Sequence, residues 1–378
     1  MIVTQTPFRV TLGGGGTDLP SYYREHGGFI FGMGIDKRMY VMINPPTIDR
    51  KIRLHYTQSE TVDHIDQLRH ELAREALRLN GITDRMEISS IADLPAGTGL
   101  GSSGCYVIGL LNALHQYRRE YVTLQQLAEE ACHIELEVLG KPIGKQDQYM
   151  AAFGGLTVLE IKRDGAVEVS SVDLGSSSLA ALIANTQIYY TGVERDALDV
   201  LAGQDGALKR HDGRDRARVT DSLHMIKDLG YQILDAIRNE DFDHWGRLLD
   251  EHWRHKKQLS DKVSLSRVDQ LYEHVKAEYS VLGGKIIGAG GGGFLMLYCP
   301  KEHKRLESLM TSHGMPKLHY GVQMEGSKVL ANFDSGNSVV FRHASVVGAP
   351  LGVNGTGRAT TGPQFKTGPS AGTETDPT

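Results

Sequence analysis

Apolar and polar positions along the chain fall into segments of two different periods. Phe8-Arg9-Val10-Thr11-Leu12 alternates at period two and reads as a strand, and Met39–Ile43 and Ile52–Tyr56 read the same way. Pro45-Pro46 between the latter two cannot donate to a ladder and marks a turn. From Asp63 to Leu79 the apolar residues Ile65, Leu68, Leu72, Ala76 and Leu79 follow helical spacing, and Asn80-Gly81 supplies the stop, so the pattern predicts one amphipathic helix. Met86–Ile91 is a predicted strand, and the run from Cys105 to Leu114, apolar nearly all round, a predicted core helix. Thr123 and Gln126 have the spacing of a capping box for a helix that runs to about Leu139, before Gly140 and Pro142.

A second set of elements begins near Ala184: a strand at Gln187–Tyr190, helices around Val219–Ile237 and Phe242–Leu259, and a strand at Phe294–Tyr298. The expected organisation is an N-terminal lobe over 1–183 and a C-terminal lobe over 184–343, since single cores stop growing at roughly 250 to 300 residues. Beyond about Ala344 the chain turns to Gly, Thr, Pro and Ser, a composition that predicts a disordered tail over 344–378.

Charge and composition narrow the function. The chain has 378 residues with 41 Lys plus Arg against 46 Asp plus Glu, a net charge of −5, and no basic block longer than Arg254–Lys257, which argues against nucleic acid as the partner. No stretch approaches the roughly 18 apolar residues of a membrane span, and the first residues lack a secretory pattern. Cys105, Cys132 and Cys299 are too widely spaced for a disulfide framework or a zinc site, so a reducing cytoplasm is the expected home. A homodimer is compatible with the sequence but not required by it.

Three glycine-rich segments carry the candidate chemistry. The central one, Pro95-Ala96-Gly97-Thr98-Gly99-Leu100-Gly101-Ser102-Ser103-Gly104, directly precedes the predicted core helix. Successive backbone N–H groups and a helix N-terminus together make a cradle for phosphate oxygens, with serine hydroxyls at its mouth. Gly99, Gly101 and Gly104 have dinucleotide-fingerprint spacing, but Pro95 breaks the approach to the first glycine, and no lysine follows the last one as a Walker loop requires. The first segment is Arg9 followed by Gly13-Gly14-Gly15-Gly16-Thr17-Asp18, where Asp18 either accepts hydrogen bonds from vicinal sugar hydroxyls or caps the turn into Pro20–Arg24. The third is Gly288–Gly293, with Gly290 and Gly291 at its centre, whose glycine density is read as close approach to a ligand.

Two carboxylates complete the set. On a helical wheel Glu135 falls within the apolar sector of Leu124, Leu127, Ala128, Ala131 and Val138, where a carboxylate needs a cation or a hydrogen-bond partner. Mg2+, which binds through one or two protein oxygens plus nucleotide phosphates, is one candidate, and an arginine pair is the other. Asp147, in the loop Gly144-Lys145-Gln146-Asp147-Gln148, is suited to accept a proton from an attacking hydroxyl, with Lys145 alongside to favour its charged form; a solvated loop pair is the alternative.

Taken in order, these segments resemble the GHMP kinases, from about Pro7 to about Pro300: Pro95 with Gly99–Ser103 is similar to the family's central signature, and Arg9…Thr17-Asp18 and Gly288–Gly293 to its first and third motifs. The resemblance implies an α+β, two-lobed fold, with an N-terminal α/β lobe that carries the phosphate loop and a C-terminal α+β lobe. It implies ATP on the Gly97–Gly104 loop, Mg2+ held by Ser103 or Ser102 and by Glu135, Asp147 as base, and Arg9 acting with it. Where galactokinases have Gly-Glu-His, this chain has Gly14-Gly15-Gly16, which argues against galactose.

In detail the chain resembles the D-glycero-D-manno-heptose 7-phosphate kinases: Thr17-Asp18-Leu19-Pro20, Ile35-Asp36-Lys37, Gly140–Tyr149 and Gly284-Lys285 carry the likeness. It implies phosphorylation of the anomeric hydroxyl of a sugar phosphate, with Lys37, Lys145 and Arg9 as cations near the substrate and Lys285 as a weaker candidate. An octose 8-phosphate, L-fucose, or an inert sugar and ATP sensor on the same fold are the competing readings.

Overall fold

The computed structural model describes residues 1–193, 197–209 and 213–333, so the predicted tail over 344–378 lies outside the described residues. The first strand, β1 (Ile2–Gly13), extends well beyond the predicted Phe8–Leu12 and is buried along most of its length. It pairs antiparallel with the long β2 (Gly28–Asn44), reached through the short helix α1 (Pro20–His26). The sheet continues through β3 (Ile52–His55), β4 (Ser59–Val62) and β5 (Met86–Ala92), with β5 beside β2 and parallel to β3. β6 (Leu156–Ile161) pairs with the other end of β2, and β7 (Val167–Ser171) with β6.

The single predicted helix over Asp63–Leu79 is in fact a 3-10 turn, Ile65–Gln67, followed by α2 (Glu71–Leu79). Helical spacing over 63–79 cannot reveal the break, because its cause is distant: the buried Glu60 carboxylate accepts the backbone N–H groups of Arg69 (2.7 Å) and His70 (3.2 Å), diverting them from a helix. The core helix is confirmed as α3 (Ser102–Arg118), packed on β1 and β2. Thr123 accepts the Gln126 N–H at 3.1 Å, but the Gln126 side chain bonds Glu130 at 2.8 Å, so half of the predicted capping box forms. The helix it starts, α4 (Leu124–Cys132), widens into one π-helical segment, His133–Val138. α5 (Gln146–Phe153) follows, so Asp147 lies in a helical first turn rather than in a loop.

After α6 (Ser176–Asn185), a second, three-stranded antiparallel sheet is formed by β8 (Thr186–Tyr190), β9 (Gly283–Ile286) and β10 (Phe294–Tyr298), with β10 central. Helices α7 (Ala197–Lys209), α8 (Gly213–Arg238), α9 (Phe242–Lys257), α10 (Ser266–Glu278) and α11 (His303–Ser312) accompany it. The last strand, β11 (Lys328–Asn332), returns to the first sheet and pairs with β1. Both sheets belong to one contact unit, Met1–Ser335, and α8 packs on β1 and β2 as well as on α9.

Candidate active site

The glycine loop ends at Gly101, whose left-handed backbone (φ 86°) turns the chain into α3, with Ser102 and Ser103 in the first helical turn. Free N–H groups at this end make an anion site. Opposite it stands the first turn of α5, which carries Asp147. The approach is close: a Cβ on Gly104 would lie 2.9 Å from the Asp147 Cβ and main chain. Between them lies a cleft of about 280 Å³, lined by Arg9, Gly15, Gly16, Gly97, Gly99, Gly101, Ser102, Ser103, Glu135 and Asp147.

Arg9 ties these parts together. Its Nε and Nη2 donate to Asp147 Oδ1 at 2.9 and 2.6 Å, and its Nη1 donates to the Gly99 carbonyl at 2.7 Å, so one buried guanidinium spans the phosphate loop and the α5 carboxylate. The cation beside Asp147 is therefore Arg9 and not Lys145, which donates to the Gly165 carbonyl at 2.5 Å.

Glu135 sits in the π segment, fully buried, although Leu124 and Val138, placed on the same sector by a regular wheel, are exposed. For Val138 the wider π turn changes the angular step, which a 100° wheel does not reproduce, while Leu124 is the first residue of α4, ahead of that turn. Glu135 accepts from Gln148 Nε2 at 2.6 Å, Lys141 stands 3.5 Å away, and Ser103 lines the same cleft. Burial raises its pKa against the opposing pull of Lys141 and Gln148, the mark of a carboxylate short of positive charge. One such carboxylate with a serine hydroxyl suits a divalent ion that takes its other ligands from phosphate oxygens and water.

Several expected site residues lie elsewhere. Asp18 is buried behind the cleft wall, where Oδ2 accepts the Gln146 N–H at 3.0 Å and Oδ1 the Gly16 N–H at 3.3 Å. It caps no turn into α1 and lines neither the cleft nor the two cavities that adjoin it; it clamps the first glycine segment to α5. Desolvation raises its pKa, and the Gln146 N–H partly offsets that. Thr17 hydroxyl is closed between Gly14 O (2.8 Å) and Phe29 O (2.7 Å), which also takes Gly14 out of the lining. Lys37 pairs with Asp36 at 3.7 Å and lines none of the cavities described in this section. Gly290 and Gly291 meet protein and not ligand space: the Gly291 N–H donates to Val263 O at 2.7 Å. Leu100 and Gly104 support the loop without lining the cleft, and Pro95 lines not the cleft but the adjoining cavity walled by Tyr56, His70 and Tyr106.

Lys256 was missed. It lines the cleft from the end of α9, and its Nζ donates to Ile286 O at 3.1 Å and to Gly288 O, bracing the third glycine segment. Burial, with Arg9 nearby, pushes its pKa down to about 7. The signal was present: Leu249, His252, Trp253 and Lys256 share the buried face of α9, as a wheel over Phe242–Leu259 would have displayed. Gln146, Lys141 and Gln204 also line the cleft unforeseen.

Two further cavities adjoin it. One of about 600 Å³ shares Ala96, Ser102 and Ser103 with the cleft and is walled by Tyr56, His70, Leu72 and Tyr106. Another of about 490 Å³ shares Lys141 and Ile143 with it, on the side away from the phosphate loop's serines.

Residues 65–155 match the GHMP kinases N-terminal domain and residues 233–308 the GHMP kinases C-terminal domain. A D-glycero-alpha-D-manno-heptose 7-phosphate kinase of Campylobacter jejuni is 26% identical over 328 residues, covering 83% of this chain and 94% of its own. A galactokinase of Pyrococcus furiosus is 24% identical over 342 residues, covering 80% and 90%. The crystal structure of a D-glycero-D-manno-heptose 1-phosphate kinase from Bacteroides thetaiotaomicron superposes with a TM-score of 0.71 at 21% identity, over 88% of this chain and 100% of that one. With these two domains in order, the shared fold, and a helix-capping glycine loop facing an arginine-bound aspartate, the chain carries the N-terminal and C-terminal domains of the GHMP kinases.

Proposed function

We propose that this kinase transfers the γ-phosphoryl group of ATP to the anomeric C1 hydroxyl of a sugar phosphate, with D-glycero-D-manno-heptose 7-phosphate converted to the 1,7-bisphosphate as the preferred reading. The observation that carries it is the meeting of Asp147 with Arg9 and Gly99 in one cleft, which brings a proton acceptor to a phosphate cradle. The heptose phosphate kinase similarity over most of the chain supports the substrate class.

In this reading the apolar cavity by Tyr56, His70 and Tyr106 takes the adenine, since aromatic and aliphatic walls suit a flat base. The amides at Gly99–Ser103 bind the phosphates. Ser103 and Glu135 hold Mg2+, which when bound neutralises charge on the transferring group. Asp147 orients the acceptor hydroxyl and takes its proton as the new P–O bond forms and the bond to ADP breaks. Arg9 fixes the carboxylate rotamer and presents positive charge beside the phosphates. Catalysis on this scheme is positioning plus electrostatics, as phosphoryl transfer requires.

The test is ADP release with Mg2+ and ATP across heptose 7-phosphate, an octose 8-phosphate, L-fucose and galactose. Turnover confined to the heptose phosphate, with 31P NMR placing the new phosphate on C1, supports the proposal. Turnover of an unphosphorylated sugar alone refutes the substrate; ATP binding without any turnover refutes the activity.

A further inference from the structure

The cavity that adjoins the cleft through Lys141 and Ile143 has no part in the chemistry so far, yet its charges are arranged unevenly. Its carboxylates are each engaged: Asp205 with Lys209 at 2.6 Å, Glu137 with His133 at 2.7 Å, Glu129 with Gln125 at 2.7 Å, and Asp164 with the Ala166 N–H at 2.9 Å. Two of its cations are not matched in this way. Among the described residues neither Arg24 nor Lys145 forms an ion pair with a carboxylate.

Both cations line this cavity together with Tyr23. Arg24 is the neighbour of Tyr23 on α1. Lys145 Nζ stands 5.6 Å from the Tyr23 ring centroid. A Cβ built on Gly165 would lie 3.4 Å from Lys145 Nζ and 3.5 Å from the Tyr23 hydroxyl, so the amine and the phenol share one small space that glycine leaves open. Two cations and a hydroxyl around an open space form the donor set of a phosphate monoester site.

Its place in the molecule fits a substrate that spans both cavities. Lys145 is the N-cap of α5 and Asp147 lies in its first turn, and the two cavities meet at Lys141 and Ile143, so a sugar whose reacting end is at Asp147 can extend its far end into the cavity that Lys145 lines. Helix α7 covers both spaces, with Leu198, Leu201 and Gln204 over the cleft and Asp205 and Lys209 over the second cavity. The other cations considered for a distal phosphate are committed elsewhere. Arg9 is held by Asp147, Lys37 lies with Asp36, and Lys285 is buried and lines neither cavity, whereas Lys145, whose Nζ also donates to a backbone carbonyl, Gly165 O, lines the second cavity.

We propose that Arg24, Lys145 and the Tyr23 hydroxyl form the subsite for a phosphate that the sugar already carries at the end remote from the reacting hydroxyl. This rests on the sugar phosphate kinase reading and extends it: the subsite confers selectivity for aldose phosphates over the free sugars.

The experiment compares wild type with Arg24→Ala and Lys145→Ala, the former on an exposed position of α1 and so safe for the fold. Each substitution is expected to lower the ratio of kcat/KM for the sugar phosphate to that for the same sugar without phosphate by tenfold or more, through KM for the sugar phosphate. A ratio unchanged in both variants, with the wild type active, overturns the subsite and leaves the kinase reading intact. Binding of inorganic phosphate, followed by calorimetry with the nucleotide loop filled by ATP, is independent of turnover. Loss of that binding in Arg24→Ala supports the subsite even if no sugar is phosphorylated, whereas equal binding in wild type and both variants, or none in wild type, overturns it.

Discussion

Arg9 and Asp147, 138 residues apart in the chain, are joined by two hydrogen bonds to a single carboxylate oxygen, Oδ1. The arrangement leaves Oδ2 without an arginine partner and turned to a cleft in which Asp147 keeps 26% side-chain exposure, against 3% for Arg9. One oxygen is thus anchored and the other is free to meet a substrate hydroxyl. Asp147→Asn is expected to lower kcat by about 10²- to 10⁴-fold, the usual worth of a general base, with the KM for ATP little changed. Arg9→Met is expected to lower kcat as well, and the double variant to lose less than the product of the single losses, because the pair acts as a unit. Steady-state kinetics on the three proteins measure this.

Gly104 sets the distance between α3 and that carboxylate. A methyl group there would sit 2.9 Å from Asp147, where no real Cβ is found, so α5 must move. Gly104→Ala is expected to cost about 1–3 kcal/mol of stability, as overpacking does, and to depress kcat more than either KM. Thermal unfolding and kinetics on the same preparation separate the two effects; an alanine variant with wild-type kcat would show that the α3–α5 spacing is not critical.

Glu135 is buried and held above its ordinary pKa, so from pH 4.5 up to that raised value the folded protein binds a proton that the unfolded chain does not. Its contribution to stability therefore falls as pH rises through that window. Glu135→Gln removes the charge but keeps the shape and the contact to Gln148. The variant is expected to be as stable as wild type or more so at pH 7, because a buried charge is relieved, while the Mg2+ concentration for half-maximal activity rises at least about tenfold. Titration of activity with Mg2+ checks the second half, and denaturant unfolding the first.

Lys256 predicts the opposite slope. Its amine is pushed from 10.5 down to about 7 by burial first and by Arg9 second. Between those two values the unfolded chain binds a proton that the folded protein lacks, so stability rises with pH across the window, and the full cost of charging the buried amine applies below about pH 7. Lys285 is shifted in the same direction by burial, then by Lys256 and Arg9, and the buried His252, whose ring nitrogens have no partner among the described residues, is pushed down as well. Lys256→Met is expected to flatten the rise of Tm between pH 7 and 9. An unchanged slope would place the titration elsewhere.

The two carboxylates of the cleft were legible to different degrees. Glu135 announced itself because a charged residue on an apolar helical sector needs compensation, and that argument survives the π turn that misplaces its neighbours. For Asp147 the residues alone pointed to the adjacent Lys145, since adjacency is the only proximity that a sequence displays, whereas the family resemblance pointed to Arg9, which is the cation the structure places there. The third glycine segment was read as ligand space from its glycine density, and in the structure Gly288 and Ala289 do line the cleft while its later glycines admit other backbone; a Cβ on Gly288 would also fall 2.4 Å from the Gly99 carbonyl, so two of the three glycine motifs are packed against each other.

What the sequence determined by itself is local. The period of apolar residues placed α3 and the long α8 and α9 helices and β10, and the glycines before Ser102 marked the helix N-terminus that cradles an anion. These follow from interactions a few residues long, which the order of residues specifies directly. The tertiary structure alone decided that Asp18 clamps α5 from behind the wall, that Lys256 reaches the cleft, and that Arg24 and Lys145 share one cavity with Tyr23. Those contacts join elements brought together by burial of the sheet and helix faces, and burial is indifferent to how far apart in the chain its partners lie.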